Sequence, residues 1–144
     1  MTHPLSHQAI ALVDDDFYSA RLMTRMLAAH GGPSVSLLSN PDEAVAHLAT
    51  LAETNEPGGC MVVVDLKSSS GATGEFIARL KRSAPSLLVV AMAPSLDRDT
   101  RNTLHDAGAA AVFERHADLD LYRREAASIV AFWVRNQRLD AVGT

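Results

Sequence analysis

The sequence predicts an α/β domain in which a parallel sheet carries helices on both faces. Three observations carry that prediction. Short apolar runs such as Ile10–Val13, Met61–Val64 and Leu87–Met92 have strand length and no polar face, as strands covered on both sides do. Longer segments between them repeat apolar residues at steps of three and four, the period of a helix with one buried face. The two kinds of segment alternate along the chain, and such alternation calls for right-handed crossovers and a parallel sheet.

Residues 1–8 are polar and aperiodic and read as a loose N-terminal tail. The first strand is 9–14, and the first helix is 17–29, with Ala20, Met23, Met26 and Leu27 on one face. His30-Gly-Gly-Pro33 stops that helix, since Gly after a helix and Pro beyond it end helices. Val35–Leu38 make a short second strand. Asn40-Pro41-Asp42-Glu43 has the form of a helix start: a capping side chain, Pro at the first helical position and acids in the first turn. That helix, carrying Val45, Leu48 and Leu51, runs to about residue 53, and residues 54–59 are a loop by composition.

Cys60–Asp65 repeats the opening theme of an apolar strand that ends in aspartate. Ser68–Gly74 reads as a flexible loop before a third helix at 75–83, closed by Ala84-Pro85. Leu87–Met92 is the fourth strand, 96–106 the fourth helix, ending at Gly108, and Ala110–Phe113 the fifth strand. The last helix, 119–138, places Leu119, Tyr122, Ala126, Ile129, Val130 and Trp133 on a core-facing stripe. Residues 9–138 thus form one domain of five strands and five helices, with 139–144 as a C-terminal tail.

The chain has 144 residues, enough for one real core, and a net charge of −4. Without a basic excess it is not a general binder of nucleic acid or anionic membrane. No stretch is long enough to span a bilayer, and Met1–His7 lacks the pattern of a secretory signal. The single cysteine, Cys60, fits a reducing cytoplasm and reads as a small buried hydrophobe.

Chemistry concentrates where the strands end. Ile10–Val13 runs directly into Asp14, Asp15 and Asp16. Three unpaired carboxylates cannot share an apolar interior, so they should emerge at the C-terminal edge of the strand, where open α/β sheets place ligands. Crossover rules bring the ends of strands one and three together, so Asp14, Asp15 and Asp65 converge on one pocket. Clustered carboxylates need a cation, and hard oxygen ligands favour Mg²⁺ or Ca²⁺. The six histidines (3, 7, 30, 47, 105 and 116) show no metal-ligand spacing.

At this point the chain resembles the receiver domain of two-component response regulators, over about residues 9–138. The likeness rests on the acids after strand one, the lone Asp65 after strand three, and Ala107-Gly108-Ala109 before strand five. It implies a flavodoxin-like fold with strand order 2-1-3-4-5. It also implies that Asp65 accepts a phosphoryl group from a kinase histidine, with no catalysis beyond self-catalysed transfer to and from that residue. Mg²⁺ would be held by Asp14, Asp15, Asp65 and the backbone carbonyl of Lys67, bridging the attacking and phosphoryl oxygens. Asp16 would cap the first helix. Implied partners are a sensor histidine kinase or phosphotransfer protein and a downstream protein, with no direct contact to nucleic acid or membrane. The face made by helix four, strand five and helix five would serve for contacts, including a homodimer, with Phe132 and Val134 exposed on it.

Several positions depart from the family pattern. Its switch Thr or Ser falls on Ala93, whose methyl cannot donate a hydrogen bond; Ser95 is close by, but Pro94 constrains the turn. The family lysine falls on Arg115, which keeps the charge and can bind phosphate with two donors. The proline after it is His116, and a non-proline cis bond there would cost about 2.5–4 kcal/mol. The aromatic switch position is Val112. Lys67 has two readings: a solvated loop cation, or an ammonium that enters the acidic pocket and lessens its need for metal. The sequence therefore leaves a phosphoacceptor in competition with a pseudo-receiver that binds partners without phosphate. A haloacid-type phosphohydrolase would want a second Asp two residues after the nucleophile, where Lys67 stands.

Overall fold

A computed structural model describes residues 9–54 and 60–143. The N-terminal tail and most of the loop at 54–59 lie outside the described residues. Those described form five strands and five helices: β1 (Ala9–Asp14), α1 (Phe17–Ala29), β2 (Ser34–Leu38), α2 (Pro41–Thr54), β3 (Cys60–Asp65), α3 (Ala72–Ser83), β4 (Leu88–Ala93), α4 (Arg98–Ala107), β5 (Ala111–Glu114) and α5 (Leu119–Gly143). The strands pair in parallel in the order β2-β1-β3-β4-β5, as expected.

Alternation along each strand splits the core in two. Ala11, Val13, Val62, Val64, Val89 and Ala91 pack under α2, α3 and α4 with Leu48, Ile77, Leu80 and Leu104. Ile10, Leu12, Met61, Val63, Val90 and Met92 face α1 and α5, meeting Met23, Leu27, Tyr122, Ala126 and Ile129. Cys60 is buried at the start of β3, and burial pushes its thiol up to about 11, which keeps it protonated and inert. Among the described residues no helix is long and apolar enough to cross a membrane.

Local signals act as the chemistry requires. Asn40 Oδ1 accepts the N–H of Glu43 at 3.1 Å and starts α2. Gly108 closes α4 at φ 127°, where an L side chain is strained and where a Cβ would stand 2.6 Å from Lys81 Cγ. Two helices are longer than expected. α3 begins at Ala72 rather than 75, because the Thr73 side chain anchors its first turn to Leu66: its hydroxyl accepts the Leu66 N–H at 3.0 Å and faces the Leu66 carbonyl at 3.3 Å. α5 continues to Gly143 through the expected tail, since no Pro or Gly interrupts the chain after Trp133 until Gly143 itself.

Placing β1 beside β3 aligns Asp14 with Asp65 as register partners at the carboxyl edge of the sheet. That pairing brings the two carboxylates of the site together.

Candidate functional site: two buried carboxylates between two cations

Asp14 and Asp65 are among the few buried charged residues of the described chain, at 2% and 1% exposure. Facing carboxylates in such a place repel and lose hydration, so they require cations of their own. Two side chains supply them. Lys67, two residues past β3, folds back so that its Nζ lies 2.7 Å from Asp14 Oδ1, 3.0 Å from Asp65 Oδ2 and 3.2 Å from the Asp65 carbonyl oxygen. An ammonium has three N–H donors, and here three oxygens surround it. Arg115, just after β5, brings Nε to 2.8 Å and Nη2 to 2.7 Å from Asp65 Oδ1. Both oxygens of Asp65 are therefore in ion pairs. Of the two readings of Lys67, the structure has the ammonium in the pocket.

Asp14 is held by two donors on one oxygen. Its Oδ1 also accepts the Asp16 N–H at 2.9 Å, while its Oδ2 is buried without a partner. Burial raises the Asp14 carboxyl above its ordinary value, against the lowering pull of Lys67 and the Asp16 amide.

The other two acids of the run do different work. Asp15 accepts the Lys67 N–H with both oxygens, at 2.9 and 3.2 Å, and the Ser68 N–H at 3.0 Å, tying β1 to the loop after β3. Asp16 caps α1, accepting from Tyr18 and Ser19 at 3.1 and 3.4 Å. Beyond it Phe17 and Tyr18 stand 63% and 82% exposed, an apolar edge on the rim beside the acids, with Arg21 stacked 5.5 Å above the Phe17 ring.

No protein-family model matches the sequence, and neither does any curated protein. Solved structures do match. The phosphorylated cyanobacterial phytochrome response regulator RcpA aligns at 24% identity and TM-score 0.71, over 89% of this chain and 94% of that one. This chain has the response-regulator receiver fold. The Mn²⁺-bound form of response regulator Rcp1 aligns at 19% identity and TM-score 0.69, over 88% of this chain and 94% of that one. A pilus assembly-related protein from Burkholderia pseudomallei aligns at 13% identity and TM-score 0.70, over 94% and 96%. A receiver fold thus occurs with a divalent metal in one neighbour and under a different description in another.

The metal ligands expected for this chain do not assemble. Among the described residues no group of three His, Cys, Asp or Glu side chains is placed to hold an ion. Asp15 gives both oxygens to backbone N–H groups, Asp65 gives both to Lys67 and Arg115, and only Asp14 Oδ2 has no partner. As arranged, the pocket fits an ammonium and not a divalent cation.

The remaining positions concern the far edge of the sheet. Ala93 ends β4, 2% exposed, with its carbonyl accepting the Arg115 N–H at 2.7 Å. Ser95, two residues beyond, has its Oγ bonded to Asp97 at 3.0 Å beside the cap of α4. Val112 pairs with Ala91 and packs on the α2–α4 side of the core. His116 Nδ1 lies 3.7 Å from Glu114 Oε2, outside the acidic pocket, and no described peptide bond is cis. Phe132 and Val134 are not exposed as expected: both are half-buried, Phe132 edge-on to Phe113 at 6.1 Å. The anchoring role of Thr73 was not readable from sequence, where its only signal was one β-branched hydroxyl among small loop residues.

Proposed function

We propose that the chain is a phosphoacceptor in two-component signalling, taking a phosphoryl group on Asp65 and acting through protein contacts. One observation carries the reading: a buried carboxylate at a sheet edge stands between an arginine fork and a lysine ammonium. Phosphoryl transfer asks mainly for alignment and for neutralisation of the equatorial oxygens, which two fixed cations supply. An Asp65 oxygen forms a bond to phosphorus as the donor's N–P bond breaks; the electron pair stays on the donor imidazole, which takes a proton. Arg115 and Lys67 move from the carboxylate to the new phosphoryl oxygens, the guanidinium able to bind them with two donors. No step is routed through Mg²⁺, because the residues as arranged do not hold it.

The donor is then a sensor histidine kinase or a phosphotransfer protein, in the cytoplasm, and the exposed Phe17–Tyr18 edge is suited to be covered when it docks. The chain is no enzyme beyond transfer to and loss from Asp65. Output runs through a protein partner or a second copy, not through nucleic acid.

The pseudo-receiver is the second reading, favoured by one observation: both Asp65 oxygens are already engaged at rest. Treatment with phosphoramidate, both with and without Mg²⁺, followed by intact-mass measurement separates the two. The phosphoacceptor gains one phosphoryl group and Asp65→Asn gains none; no gain in the parent supports the pseudo-receiver, and a gain that survives in Asp65→Asn moves the nucleophile elsewhere.

A further inference from the structure

We infer that Lys67 is a built-in replacement for the divalent cation of the pocket, so that this chain holds its acids, and receives phosphate, without a metal. The consequence for phosphate rests on the phosphoacceptor reading; the replacement itself does not. Three features of the pocket support it.

The ammonium is fully coordinated. Asp14 Oδ1, Asp65 Oδ2 and the Asp65 carbonyl lie 2.7, 3.0 and 3.2 Å from Nζ, drawn from the ends of two adjacent strands. Its backbone is fixed as well, since Asp15 accepts the N–H groups of both Lys67 and Ser68. The acid that would complete a metal's ligand set is thus the one that aims the lysine.

The two buried acids are also balanced: Lys67 pairs with Asp14 and Asp65, and Arg115 with Asp65, while Asp15 is held by backbone N–H groups. A divalent ion entering this pocket would meet two fixed cations, or would have to expel Lys67 and lose all three of its contacts. Mg²⁺ binds through free carboxylate oxygens and sheds water reluctantly, and Asp14 Oδ2 is the single carboxylate oxygen of Asp14, Asp15 and Asp65 without a partner.

The test is metal binding by the full chain, read from loss of the free Mn²⁺ signal in electron paramagnetic resonance. Parent protein should bind Mn²⁺ weakly, and Lys67→Met at least about tenfold more tightly, because a positive charge is removed from the ligand oxygens. Adding Asp14→Asn should abolish the gain. Should Lys67→Met not fold, the parent alone decides: its melting temperature should be the same in about 10 mM Mg²⁺ as in NaCl of equal ionic strength. An unchanged affinity in Lys67→Met, or a parent stabilised by about 3 °C or more in Mg²⁺, overturns the inference. Neither readout involves phosphoryl transfer, so a chain that never takes phosphate is still tested.

Discussion

The two edges of this sheet are built on opposite principles. At the ends of β1 and β3, two carboxylates meet the Lys67 ammonium and the Arg115 guanidinium, which reaches across from the end of β5, and Asp15 and Thr73 fasten the loop that carries Lys67. At the ends of β4 and β5, the corresponding positions are Ala93 and Val112, both packed into the core. The first edge can neutralise a phosphoryl group. The second has neither the hydroxyl that would bond to one nor a ring that would move in response. On the phosphoacceptor reading, charge handling and long-range coupling would be separable properties of one fold, with groups for the first present here.

The largest expected break in that contrast is Lys67→Met. It leaves Asp14 buried without its cation and should destabilise the fold by about 3 kcal/mol, measured as a lower urea midpoint. Adding Asp14→Asn should recover about 1–2 kcal/mol of that loss, since the uncompensated charge is gone. Full additivity of the two changes would mean that the pair does not interact. Thr73→Val comes next. It deprives the buried Leu66 N–H of its acceptor and should cost about 1.5 kcal/mol, with faster amide exchange in residues 66–74. A neutral effect would show that the loop is fastened by Asp15 alone.

A smaller effect concerns pH. Asp14 holds its proton to a higher pH in the folded chain than its ordinary value of 3.8, chiefly because it is buried. Between those two values the native state binds more protons than the unfolded one, so the Asp14 contribution to stability falls as pH rises through the window and is level above it. Parent chain should therefore lose stability relative to Asp14→Asn as pH rises from about 4, and a constant difference across that range would remove the burial argument. Smallest of all should be the response of residues 90–115 to phosphorylation. Amide exchange of the two forms should differ in the loop after β3 and hardly at all at β4 and β5; strong changes confined to 90–115 would mean that a coupling group other than those at Ala93 and Val112 exists.

Sequence carried the parallel sheet and its helices because those depend on apolar runs and on alternation, which are local and cumulative; the full strand order came with the family resemblance. It carried the neighbourhood of the site for the same reason: Asp14 and Asp65 sit one residue past apolar runs on strands that crossover rules make adjacent. Other features depended on side-chain direction. Three consecutive aspartates look alike in sequence, yet Asp14 turns into the pocket, Asp15 to the loop amides and Asp16 to the helix start. Lys67 on a surface loop reads first as a solvated cation, and its insertion depends on Asp15 holding its backbone. Phe132 lies off the periodic stripe of α5 but reaches Phe113 because β5 presents that ring to α5.

If the pocket supplies its own cations, phosphorylation of the parent chain should proceed in excess EDTA. Intact mass after phosphoramidate treatment should show one phosphoryl group in chelator, to the same extent as with Mg²⁺, and none in Asp65→Asn under either condition. Phosphorylation that appears only when Mg²⁺ is added would contradict the claim, because Lys67 would then have to leave the pocket for the chemistry to proceed.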